Sequence, residues 1–278
     1  EIAIAKRIEA GKDVMLNALS QSPITAEQFF DWNSKLQKDE IMVREIIDID
    51  TNYMEDENSS NPKNRKSKEN IQISKENNEV DKKDQNNNNN EEDDEFNPTL
   101  AAMESEIKPK VLDTIHTLTK DYLKLIKYQK EKLNCLLNST NFSNPKEKAY
   151  QKLVQQVLDK IKSLQLSPSV LENLVQKHYL ENKKIISLEG NLLRLALNEK
   201  ISRDEFIKNY VGNEINPNLK NFLSTNSLWK NFFQRNKNDF KEIRDRLIEI
   251  SNKLGISVTD YKKLVNRVQK GEKESRIA

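Results

Sequence analysis

Between Val111 and Leu125 the large apolar residues Val111, Ile115, Leu118, Tyr122 and Leu125 fall at steps of four, three, four and three. That spacing gathers all five on one face of an α-helix and would scatter them over both faces of a strand, so the segment reads as a long helix that must bury one side. The same rhythm returns along the chain. Tyr150, Val154, Val157, Ile161 and Leu164 form a second stripe, and Leu171, Leu174, Val175, Leu188, Leu192 and Leu195 a third. Phe240, Ile243, Leu247, Ile250 and Leu254 form a fourth, followed by Val258, Tyr261, Leu264, Val265 and Val268. The sequence holds no alternating run of strand length and no internal repeat. With 32% charged and 35% hydrophobic residues, five Gly and seven Pro in 278 residues, it predicts an all-α fold, an antiparallel helical array joined by short loops.

Local signals set the ends of these helices. Asn144 with Pro145 and Glu147 marks one start, and Ser167 with Pro168 another, because a proline in the first turn lacks an N–H that would find no partner there. "SRDE", Ser202 to Glu205, has the form of a capping box for a short helix ending near "YVGNE", where Gly212 is free to turn left-handed. A bend is expected near Gly190; Gly255 stops the fourth stripe, and Ser257 caps the last helix. Earlier, Thr25 to Gln28 has the capping-box pattern ahead of Phe29, Trp32 and Leu36, which predicts a helix from about residue 26 to about 52.

The stretch from residue 55 to 96, "EDENSSNPKNRKSKENIQISKENNEVDKKDQNNNNNEEDDEF", offers only Ile71, Ile73, Val80 and Phe96 as sizeable apolar groups. Burying those four cannot offset the entropy of ordering the segment, so a long disordered, acidic, Asn-rich insertion is predicted over 55–97. Its composition is that of a solvated linker, with a regulatory contact as the alternative. From 55 to 95 it carries 13 acids and 7 bases, a net of −6, so the overall +2 leaves +8 on the other segments. A basic body with a detached acidic segment suits a partner bearing phosphates, although the density is far below that of a histone.

Catalytic chemistry finds no purchase. Cys135 is the only cysteine, so neither an internal disulfide nor a thiolate metal site forms, which fits a reducing cytosol. No apolar run approaches the roughly 18 to 20 residues that cross a bilayer. His116 and His178 sit on separate predicted helices without metal-ligand spacing, and the glycines at 11, 190, 212, 255 and 271 make no phosphate-cradling loop. Paired acids such as Glu91 and Glu92 lie in a solvated tract that cannot perturb a pKa. The expectation is a cytoplasmic protein that is not an enzyme and uses no cofactor, metal or small-molecule substrate.

Two basic ends flank the array. "AKRIEAGKD" presents Lys6 and Arg7, while "YKKLVNRVQKGEKESRIA" presents Lys262, Lys263, Arg267, Lys270, Lys273 and Arg276 against only Glu272 and Glu274. Charge count alone favours a solvated face with snorkelling lysines over a helix that follows a nucleic-acid backbone.

The two ends also carry a resemblance. "EIAIAKRIEAG" closely resembles the end of region 1.2 in the primary sigma factors of bacterial RNA polymerase, the sigma-seventy family, and "LGISVTDYKKLVNRVQKGEKESRIA" resembles the entry into region 2.1, with Gly271, Glu272 and Arg276 matching its "GE-A-RA-" stretch. Many such factors carry a variable helical insertion between those regions, the nonconserved region, with an acidic low-complexity tract near its start. "FIKNYVGNE", Phe206 to Glu214, is similar to the phrase F-x-x-x-[FY]-x-G-N-E of that insertion, and Trp229 stands where a Trp follows it.

The resemblance divides the chain into 1–54, the end of region 1.2 and the first insertion helices; 55–97, the acidic insertion; 98–255, the helical nonconserved region; and 256–278, the start of region 2.1. It implies an internal fragment whose parent binds RNA polymerase core, at its largest subunit and clamp, and promoter DNA to direct transcription initiation. The fragment itself is then a helical spacer modulating promoter contact and escape. The helices that read and melt the −10 element are expected beyond Ala278. By the same carry-over Glu1 is the candidate acid of a pocket for a flipped-out base, with Lys6 and Arg7 as weaker backbone contacts; Lys262, Lys263 and Arg267 join them as DNA-binding candidates on the basic charge of the last helix. The alternative from another class is a free-standing helical adaptor whose stripes bind protein partners.

Overall fold

In the computed structural model, which describes residues 2–52 and 98–276, the chain builds α1 (Ile2–Ser20), α2 (Pro23–Gln37), α3 (Pro98–Leu137), α4 (Asn144–Leu164) and α5 (Pro168–Asn198). There follow α6 (Arg203–Tyr210), α7 (Leu219–Leu223), α8 (Ser227–Arg235), α9 (Lys237–Leu254) and α10 (Val258–Arg276). Among the described residues the only β pairing is an isolated bridge between Ile47 and Leu166, so the fold is all-α as expected. The acidic insertion expected at 55–97 lies outside the described residues.

The stripes do what their spacing requires. All five residues from Val111 to Leu125 in the first stripe are buried on α3, at no more than 2% exposure. α3 and α4 form an antiparallel hairpin, with Lys132 paired to Glu147 and Lys146 to Glu131 near its turn and Lys160 to Asp121 further from it. α2 packs on α3 with Phe29 edge-on to Trp32 at 5.0 Å and stacked on Tyr122 at 5.8 Å. These helices enclose one hydrophobic cluster; a second joins α1, α5, α9 and α10, and a third lies between the end of α5 and α6 to α8.

Most caps stand where the sequence put them. Ser167 accepts from the Val170 N–H, Ser202 from Glu205 and Ser257 from Asp260. Gly212 and Gly255 take left-handed φ values of 92° and 78°. The Ser202 box closes only halfway: the Glu205 carboxylate turns instead to the Trp229 indole N–H at 3.1 Å and the Asn226 amide at 3.2 Å. α5 stays helical through Gly190.

The helix expected from about 26 to 52 is corrected. Ser22, not the Thr25 box, caps α2 by accepting from Ile24 N, and Thr25 is buried. The helix ends at Gln37, Asp39 adopts φ 54°, and a 3-10 turn follows at Val43–Glu45. The stripe of Phe29, Trp32 and Leu36 meets Asp39 and Glu40 at its next turn, so no apolar side chain continues it there, and the left-handed Asp39 leads the chain out of the helix. After the break Val43, Ile46 and Ile47 are all buried in the core, with the Glu104 carboxylate accepting from the Val43 N–H at 2.8 Å.

Candidate interface between the first and last helices

α1 and α10 lie antiparallel, with Ser275 hydrogen-bonded to Ile8 at one end and Arg267 to Gln21 at the other. Midway, Gly11 meets Gly271. A Cβ on Gly11 would stand 2.7 Å from the Gly271 carbonyl oxygen, and one on Gly271 would stand 2.6 Å from the Gly11 carbonyl oxygen. The two backbones therefore touch without a side chain between them, an approach only glycine permits. Each glycine costs its helix about 1 kcal/mol relative to alanine, so tertiary contact must offset that loss. Met15, Ala18 and Leu19 extend the contact onto Leu264, Val265 and Val268, all buried.

α10 is tied on its other side to α5. The Tyr261 hydroxyl donates to the His178 carbonyl at 3.0 Å, and the Tyr179 hydroxyl donates to Glu272, which also holds Arg276 at 2.7 Å. His178 is fully buried. Its Nδ1 lies 2.6 Å from the Leu174 carbonyl, which only accepts, so Nδ1 carries the proton and Nε2 accepts from the Ser22 hydroxyl. Burial holds the ring neutral and lowers its pKa to about 4, outweighing the Leu174 carbonyl that favours the cation. The same Ser22 caps α2, so one imidazole joins α2 to α5.

A second tie uses charge. Lys262 on α10 reaches inward to Glu189 on α5 at 2.7 Å and to Glu214 in the "YVGNE" turn at 2.9 Å. Burial pushes the Glu214 carboxyl upward, but hydrogen bonds from Thr259, Lys262 and its own backbone N–H, with the charge of Lys262, outweigh it, and the group ends below the usual carboxylate range. Glu189 is raised, because burial acts there against Lys262 alone. Burial would lower the Lys262 pKa, yet its two carboxylates raise it. The ammonium is thus held between α5, the turn and α10.

The residues expected to meet DNA separate accordingly. Glu1 lies outside the described residues. Lys6 and Arg7 are exposed on the first turns of α1. Lys263 and Arg267 are exposed one helical turn apart on α10, on the wall of a cavity of about 800 Å³ between α3, α4 and α10. Lys262 does not join them, being committed to the two carboxylates. Because the helices run antiparallel and Gln21 lies beside Arg267, Arg7 stands about 20 Å along the seam from that cavity. Sequence reading missed Glu189, whose partner lies 73 residues away with no local pattern to report it. Among the described residues no group of three or more His, Cys, Asp or Glu side chains converges on a metal position.

Residues 22–251 match the family model described as Sigma-70, non-essential region, and the chain belongs to that family. It is a non-enzymatic family, as the reading of the sequence held. The match starts just after α1 and stops within α9, so the helices of the seam flank it. Over its whole length the chain is similar to the RNA polymerase sigma factor RpoD of Neisseria gonorrhoeae, 26% identical over 282 residues, and it spans 41% of that protein. Among the described residues no helix is long and apolar enough to cross a membrane.

Proposed function

We propose that the chain is an internal segment of a cytoplasmic bacterial primary sigma factor, running from the end of region 1.2 through the non-essential region into region 2.1. Its parent binds RNA polymerase core, at the largest subunit and clamp, and promoter DNA to direct initiation. The segment acts as a rigid helical spacer that holds α1 and α10 in one fixed relation and so sets how the promoter-handling parts on either side are presented. The observation that carries this reading is the glycine contact of Gly11 with Gly271: two helices from opposite ends of the chain are fitted together at backbone distance, and the body between them ties α10 down through Lys262 and Tyr261.

Lys6 and Arg7 at one end of the seam, with Glu1 beside them in sequence, and Lys263 with Arg267 at the other, supply the DNA contacts. Lys262 leaves that set for the structural tie described above. The acidic tract of residues 55 to 96 is complementary in charge to a basic surface of the polymerase and is proposed to meet one there. The test is promoter-directed transcription by core polymerase with the full-length factor. Gly271→Val is expected to lower initiation while leaving core binding in place. A full-length protein that fails to direct core to a promoter, or a Gly271→Val factor that initiates as well as its parent, overturns the reading.

A further inference from the structure

The face of α3 turned away from the core carries a stripe of its own. His116, Lys120, Leu123, Lys127 and Lys130 follow one another at steps of four, three, four and three, so they share one side of the helix, and Lys124 stands beside them. All six are exposed, Leu123 at 56%. Between residues 114 and 130 the only carboxylate is Asp121, which is buried and paired with Lys160 of α4. Lys124 reaches that carboxylate only at 3.7 Å, and among the described residues Lys120, Lys127 and Lys130 have no carboxylate partner. On the other side of the hairpin each of Lys132, Lys146 and Lys160 has one. Like charges one turn apart, as in Lys120 with Lys124 and Lys127 with Lys130, repel and weaken a helix, a cost that nothing among the described residues offsets. The stripe is not part of the surface assigned to DNA: Leu123 and Lys132 are nine residues apart, about half a turn round α3, and it is Lys132 that lines the cavity with Lys263 and Arg267.

We propose that the outer face of α3 docks an acidic amphipathic helix of a partner protein, whose apolar stripe meets Leu123 while carboxylates before and after it pair with Lys120, Lys124, Lys127 and Lys130. The charge on this face calls for an acidic partner, and its spacing calls for a helix, because steps of four and three are those of a seam between two helices. The four lysines span about 15 Å of α3, so some three turns of a partner helix cover them. A nucleic-acid backbone answers the charge alone: phosphates would leave the central leucine against a charged, hydrated surface, with no apolar group to cover it. This surface goes beyond the function proposed above and holds or fails without it.

The 278-residue chain is titrated at low salt with a fluorescein-labelled helical peptide of about three heptads, built with a leucine stripe flanked by glutamates, and with the same peptide carrying serine in place of the leucines. The leucine peptide is expected to bind and the serine peptide to bind more weakly, both less as salt is added. Leu123→Ser, and the double reversal Lys120→Glu with Lys127→Glu, should each weaken the leucine peptide about tenfold at unchanged helicity by circular dichroism. The same double reversal at Lys148 and Lys152, exposed on α4, should change it by less than about twofold. Equal losses from the two double reversals, or a silent Leu123→Ser, would reduce the contact to general charge and overturn the proposal, as would failure of the leucine peptide to bind. Duplex DNA that binds with the same sensitivity to Leu123→Ser and to the α3 reversal overturns it in favour of nucleic acid. A dimer in sedimentation that Leu123→Ser dissolves overturns it in favour of a second copy of the chain.

Discussion

At Gly11 and Gly271 two helices meet with nothing but backbone between them, whereas around Trp229 the rings of Phe206, Tyr210, Phe232, Phe233 and Phe240 fill a space that no backbone enters. The seam is limited by distance and has no room for one added methyl. The ring cluster is limited by volume and fails when a group is removed. Each region should therefore tolerate the kind of substitution that breaks the other, and residues that carry the sequence resemblance fall in both: Phe206, Tyr210 and Trp229 in the ring cluster, and Gly271 in the seam.

The largest effect belongs to the ring cluster. Trp229→Ala removes its central ring and leaves the Glu205 carboxylate without the indole donor, so a loss of about 4 kcal/mol is expected in chemical denaturation followed by circular dichroism. A loss under about 1 kcal/mol would show that the rings are not a packed unit. Next comes the tie on the seam: Lys262→Met strands two buried carboxylates and should cost about 3 kcal/mol, partly restored by adding Glu189→Gln and Glu214→Gln. No recovery in the triple variant would mean that charge is not what holds α10 there.

Acidity probes the junction between α2, α5 and α10. In the unfolded chain His178 protonates near its ordinary value of 6.5, while in the fold it stays neutral down to about 4. Its contribution is therefore complete above the unfolded value and is lost as pH falls between the two, up to about 3 kcal/mol. Comparison of denaturation midpoints from about pH 7 to about pH 4 for the parent and His178→Gln checks this; parallel curves for the two proteins would remove His178 as the cause.

Smaller effects sharpen the contrast. Gly271→Ala in the seam should cost about 2 kcal/mol although it adds only a methyl, because the Gly11 carbonyl and the Met15 backbone stand in its way. Phe233→Leu in the ring cluster, a far larger change of shape, should cost about 1 kcal/mol. If the alanine in the seam cost less than the leucine in the ring cluster, backbone distance would not be what limits the seam.

What the sequence disclosed follows from the range of the interactions. The apolar stripes and the serine caps at 167, 202 and 257 are set within a few residues, and the structure holds them where the spacing put them. The end of α2 was not legible, because its core-facing continuation depends on Glu104, 61 residues from Val43 in sequence. The same reason hid half of the candidate site. Lys262 and Lys263 are neighbours with equal charge, but a helix turns them about 100° apart, and only the distant Glu189 and Glu214 decide which one points inward. Gly11 was visible as a glycine in a helix, but its partner lies at the other end of the chain.

The fixed pairing of α1 with α10 can be measured directly by spin-label distances. With Cys135→Ser, labels on exposed Glu9 and Lys273 report across the seam. A rigid seam predicts one short, narrow distance distribution that broadens and lengthens in Gly271→Val. A broad distribution in the parent chain, or an unchanged narrow one in Gly271→Val, would contradict it.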